Sequence, residues 1–170
     1  MTKPGAESPG EAQAKRLERV YEHVAQLLRD PRVSGRLRAA PGTDEWSAMQ
    51  ALGHMREMIP YWLNHCRVLI RAAADREPPT FGRTPGSSER MDGVAHGAAA
   101  EPDALLRELE AEVRAAASAI RQLSMPERGK RGVYPGRGEM TVADVVESFI
   151  VSHAEEHLAQ VQATLRSQRG

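Results

Sequence analysis

Apolar residues recur at intervals of three and four along four separate stretches of the chain. The first runs from about Glu11 to Asp30, where Leu17, Val20, Tyr21, Val24, Leu27 and Leu28 line one side of an expected helix. Pro31 then blocks simple continuation. The second runs from about Ser47 to Ala74, and Leu52, Met55, Ile59, Trp62, Cys66 and Leu69 keep the spacing of a bundle seam. Ser47 and Gln50 are placed to form a capping box at its start. Pro60 falls inside this stretch and predicts a kink, because it lacks an N–H and crowds the preceding turn. The third stretch begins at Pro102, a good first helical residue, and reaches about Ser124. Leu105, Leu106, Leu109, Val113, Ala116, Ile120 and Leu123 mark its buried side. The fourth starts at Thr141, with Asp144 placed to answer the first N–H groups, and continues to about Ser167.

The connections are uneven. A long one, from about Asp75 to Ala100, carries Pro78, Pro79 and Pro85, with room for a short helix from Ser88 to His96. A Gly- and Arg-rich loop covers Pro126 to Glu139. No segment reads as a strand, and there is no internal repeat. Met1 to Gly10 reads as a disordered lead-in. The expected fold is all-α: a single four-helix bundle domain over 11–170, with a long connection between its second and third helices.

Composition narrows the function. The chain has 170 residues, and 23 basic side chains balance 23 acidic ones. A dedicated nucleic-acid binder or a polybasic membrane-surface protein is not expected from that balance. No apolar run approaches the roughly 20 residues needed to span a bilayer. Cys66 is the one cysteine, so no intrachain disulfide forms, which suits a reducing cytoplasm.

The residues most suggestive of chemistry are His153 and His157. Four apart on a helix, they stand about 40° apart around its axis and one turn apart along it, a spacing at which two imidazoles can share one metal ion. They occupy the same side as Val142, Val146, Phe149, Ile150 and Val161. A buried imidazole needs a hydrogen-bond partner or a metal. The run from His153 to His157 also fits H-x-x-E-H, with Glu156 in the place of a general base. A peptidase is not expected from it, since a five-residue match is weak and little chain follows to supply a third ligand. His23, His54, His65, His96 and Cys66 are the candidates for a third ligand, and spacing does not choose among them. His54 and His65, eleven apart, share a face but lie about three turns apart, so both cannot reach one ion.

Glu45-Trp46-Ser47 through Leu52-Gly53-His54 resembles the second-helix signature of the DinB/YfiT-like superfamily. Gly138-Glu139-Met140-Thr141-Val142-Ala143-Asp144, followed by His153-Ala-Glu-Glu-His157-Leu158-Ala159-Gln160, resembles that family's fourth helix. The likeness covers nearly the whole chain from Glu11 onward. It implies a four-helix bundle with an unusual crossing connection and a divalent metal, zinc or nickel, held by His54, His153 and His157. It also implies an enzyme that holds a low-molecular-weight thiol as its thiolate and transfers it to a small electrophile. A homodimer is the assembly it implies.

Two other readings stay open: a metal-binding stress protein without catalysis, and a hydrolase using metal-activated water. Gln160, one turn beyond His157, is a candidate to orient an imidazole. Glu156 is a candidate base or acceptor, and Glu57, near His54, is a similar one. Glu155 points away and is expected in solvent. Arg128, Lys130, Arg131 and Arg137 are expected as solvated loop charge, although an anionic thiol would also suit them. Met58, Tyr61 and Trp62 are expected in the core.

Overall fold

The computed structural model describes residues 7–73 and 75–168. Helix α1 spans Pro9–Arg29. It begins two residues earlier than expected because Ser8 caps it, accepting from the Glu11 N–H, with Pro9 in the first turn. The rest of the expected lead-in, 1–6, lies outside the described residues.

Helix α2 spans Ala48–Arg71 and continues past Pro60. Its capping box forms as the sequence predicts: Gln50 N–H donates to Ser47 Oγ, and Gln50 Oε1 accepts from the Ser47 N–H. Ala74, the expected end, lies outside the described residues. The short helix in the long connection, α3, spans Ser88–Ala99, three residues longer than expected. Helix α4 spans Pro102–Gln122, and a single capped turn, α5, covers Met125–Arg128.

The Gly- and Arg-rich loop corrects the expectation of no strand. Arg131–Tyr134 (β1) and Gly138–Thr141 (β2) form an antiparallel hairpin, with Tyr134 opposite Gly138. Gly136 and Gly138 have φ of +86° and +83°, left-handed values that a side chain resists. Val133 also bonds the 79–81 segment through its N–H to Pro79 O and its carbonyl to the Phe81 N–H.

The last helix is continuous but not uniform. It opens as α6, Val142–Val145, behind a Thr141–Asp144 capping box. From Val146 to Val151 the bonding widens to a π-helix, and the Ser152 N–H reaches Glu147 O. Helix α7 then spans Ser152–Ser167.

In the bundle, α1 packs against α4 and α7, and α2 packs against the same two. The order around the bundle is therefore α1, α4, α2, α7. Chain neighbours α1 and α2 lie across it, as do α4 and α7. That arrangement explains why 30–47 and 123–141 are long: each must cross an end of the bundle. The core is the predicted apolar set. Leu17, Leu52, Met55, Ile59, Leu105, Leu109, Ile120 and Ile150 are almost wholly buried. Tyr21, Leu27 and Leu123 lie at its edge.

Helix α3 lies directly on α2. Gly53 on α2 meets Gly93 and Gly97 on α3 so closely that a Cβ added at Gly53 would stand 2.5 Å from Gly97 Cα. Three glycines thus let the two backbones touch, one residue before His54.

Candidate metal centre

His54 projects from α2, and His153 and His157 project from successive turns of α7. One ring nitrogen from each falls within 4.8 Å of the other two. Their ring centres are 4.6 to 5.7 Å apart. His54 is 2% exposed and His157 9%, so both imidazoles are removed from water. Burial, helped by neighbouring positive groups, pushes His153 down to about 4 and His157 to about 3. Both are neutral near pH 7, the state in which imidazole donates a lone pair.

The remaining nitrogens tell which ones face inward. His157 Nδ1 donates to Gln160 Oε1 at 2.8 Å, so Nε2 keeps its lone pair. His157 Nε2 and both His54 nitrogens are buried without a hydrogen-bond partner among the described residues. Orphaned buried nitrogens are costly, and one from His54 and one from His157, converging with a nitrogen of His153, fit a bound divalent cation. Glu57 Oε2 lies 3.5 Å from His54 Nδ1, a loose contact that sets a carboxylate beside the ring. Arg83 clamps the same carboxylate with Nη1 and Nη2 at 2.5 and 2.7 Å. Burial works against the Glu57 anion, but His54 and Arg83 outweigh it and hold its pKa below the usual range.

Beside the histidines opens a cavity of about 490 Å³. Its aromatic wall is Trp62, Tyr134 and Phe149, with Trp62 and Phe149 stacked at 4.4 Å. Arg83, Arg90 and Arg137 supply positive charge, and Glu156 supplies the one carboxylate in the lining. Trp46 closes another side, edge-on to His54 at 5.4 Å and stacked on His157 at 6.3 Å.

The other candidate ligands lie elsewhere. His23 is exposed. His65 sits among Tyr61, Trp62 and Phe81. His96 Nε2 meets Glu108 at 2.8 Å on α4. Cys66 is buried, and burial pushes its thiol up to about 12. Two charges depart from expectation. Arg128 is buried rather than solvated, with Nη2 donating to Gln13 Oε1 at 2.7 Å. Glu155 is held by Arg16 rather than free in solvent. Both belong to a network that includes Glu147, which accepts from Gln13, Arg16 and Ser152 and ties α1 to the π segment. Trp62 is core on one face and cavity wall on the other. Sequence reasoning missed Arg83 and Arg90, since neither sits in a motif and each reaches the site only through the folded connection.

A helical bundle whose second and last helices bring three histidines to a small cavity defines the class. The profile of the DinB superfamily matches residues 16–161, and the chain belongs to that superfamily. Among solved structures it is similar to YfiT from Bacillus subtilis, described as a probable metal-dependent hydrolase with an unusual four-helix bundle topology. That likeness has a TM-score of 0.74 at 15% identity and covers 98% of this chain and 92% of the other, so it concerns the fold. No curated protein matches the chain. Among the described residues, no helix is long and apolar enough to cross a membrane.

Proposed function

We propose that the protein is a metal-dependent enzyme that joins a low-molecular-weight thiol to a small electrophile, with zinc or nickel held by His54, His153 and His157. The observation that carries this reading is the convergence of the three imidazoles beside a cavity with no activated nucleophile of its own. Cys66 is shut in the core with its thiol protonated. The Ser152 hydroxyl donates to Glu147 at 3.0 Å. A nucleophile that arrives with the reactants fits this arrangement. Three neutral ligands leave a divalent ion its full charge, which favours the anionic form of a thiol at neutral pH.

The chain's own residues do the rest. Gln160 holds His157 in the tautomer that presents Nε2 inward, and Glu57, braced by Arg83, sets its carboxylate 3.5 Å from His54 Nδ1. Glu156 lines the cavity one turn from His153 and is placed to take the proton the thiol gives up. Trp62, Tyr134 and Phe149 exclude water and pack the apolar part of the reactants. The proposal extends to a homodimer, the assembly that the family resemblance implies, in the reducing cytoplasm that a single cysteine suits.

A hydrolase is the second reading, favoured by the description of YfiT. The same histidines would serve it, and Glu156 would take its proton from water. One assay separates the two. Protein loaded with zinc or nickel is mixed with 1-chloro-2,4-dinitrobenzene or an epoxide, with cysteine, glutathione or bacillithiol present or absent. The proposal expects thioether formation that needs both metal and thiol and is lost in His153→Ala. No conjugation with any thiol, together with thiol-free ester hydrolysis that rises with pH, would replace it with the hydrolase.

A further inference from the structure

The arginines around the cavity are not equivalent. Arg83 is neutralised, since Glu57 takes both of its terminal nitrogens. Arg90 and Arg137 have no carboxylate partner among the described residues. Arg90 donates once, to Pro85 O at 2.7 Å, and its guanidinium lies 4.6 Å from the Trp46 ring centre. Arg137 lies 5.1 Å from the Phe149 ring centre. Both planar cations are thus laid on aromatic faces, which fixes their direction while leaving most of their N–H donors unused.

The fold places them there by particular means. The Gly53–Gly93–Gly97 contact seats α3, and with it Arg90, over the site. The hairpin turn, shaped by Gly136 and Gly138, brings Arg137 into the same cavity lining. Against these two cations the cavity lining offers one carboxylate, Glu156. Such a pocket concentrates anions.

We infer that Arg90 and Arg137 form an anion subsite, and that one reactant is a small organic acid whose carboxylate they bind while its sulfur or its apolar body faces the histidines and Trp62. This deepens the proposed function and rests on its metal site. The carboxylate is carried either by the thiol or by its reaction partner. A carboxylate on guanidinium forks gains paired, charge-assisted hydrogen bonds, enough for about a tenfold preference over a neutral analogue.

The test is binding rather than turnover. Cobalt(II) is loaded in place of the native metal, and the visible bands of the metal and of its sulfur ligand are followed. In one arm 3-mercaptopropionate is titrated against 2-mercaptoethanol. In the other, succinate is titrated calorimetrically into protein saturated with 2-mercaptoethanol. The expected result is about tenfold tighter binding of the acid thiol, or succinate binding at micromolar to millimolar concentration, the arm that responds identifying the carrier. Arg90→Gln and, separately, Arg137→Gln should abolish that response. The affinity for 2-mercaptoethanol and the cobalt spectrum should stay unchanged, which shows that the variants are folded. Equal binding of the two thiols with no succinate binding, or a preference that survives both substitutions, overturns the subsite alone. Failure of cobalt to bind at the histidines overturns the metal reading and the subsite with it.

Discussion

At the scale of single residues, the site is a set of converging imidazoles, two of which, His153 and His157, burial keeps neutral. Burial lowers the His153 and His157 pKa values, so in metal-free protein the unfolded chain binds protons that the folded chain refuses. The unfolded groups titrate near 6.5, and the folded ones near 4 and 3. Stability is therefore untouched above about pH 6.5 and falls as the pH drops toward 4, by up to about 1.4 kcal/mol per pH unit for each histidine. Chemical denaturation of metal-free protein at pH 7, 6, 5 and 4 should show this slope, and His153→Gln/His157→Gln should flatten it. A wild-type slope no steeper than the variant's would contradict the assignment. Glu57 acts on the same site from behind. Glu57→Gln removes the anion facing His54 Nδ1 and leaves Arg83 buried without a counter-charge. Metal affinity should fall roughly 10- to 100-fold, as measured by competition with a chelating dye. An unchanged affinity would reduce Glu57 to a structural partner of Arg83.

At the scale of elements, the helices were legible and the devices between them were not. The three-four spacing located α1, α2, α4 and the last helix to within a few residues, because each buries one stripe against a common core. It could not show the π segment, whose apolar residues Val146, Phe149 and Ile150 read as ordinary helix. The hairpin escaped because its strands are four residues each and contain glycine, too short to show an alternating pattern. Spacing put His153 and His157 together. His54 was one of five candidates for a third ligand until the family resemblance singled it out, and the structure brings it to them. Arg83 and Arg128 act through partners far away in sequence, which no local pattern reveals.

The α2–α3 contact carries the clearest prediction at this scale. Gly53→Val or Gly97→Val inserts atoms where backbone already touches backbone, and should cost about 1–3 kcal/mol or more and displace the short helix. Gly86→Ala, in open space, should be close to neutral. Thermal melts of the three variants check this; a wild-type melting temperature for Gly97→Val would contradict the contact. The Gln13–Arg128 pair makes a second prediction. Gln13→Ala strands a buried guanidinium and should cost about 1–3 kcal/mol by urea denaturation, whereas a neutral result would mean that water serves Arg128 equally well.

At the scale of the molecule, connectivity and function meet. Because α1 and α2 lie across the bundle, as do α4 and α7, α2 and α7 become direct neighbours. That adjacency brings His54 beside His153 and His157, whereas a simple up-down order would set α2 and α7 diagonally across the bundle. Here the long connections are put to use: the crossing 123–141 supplies the hairpin with Tyr134 and Arg137, and the connection 72–101 between neighbours α2 and α4 supplies Arg83 and α3 with Arg90. The scaffold thus holds the metal candidates on rigid helices and leaves the cavity wall to the connections, where change costs the core little.

The most direct test of the central claim is metal content. Tag-free protein incubated with zinc or nickel, desalted and analysed by plasma mass spectrometry should carry about one ion per chain, as one site with three converging histidines implies. His54→Ala and His153→Ala/His157→Ala, each confirmed helical by circular dichroism, should carry almost none. Wild-type protein that retains no metal, or a folded His54→Ala variant that retains as much as wild type, would contradict the account.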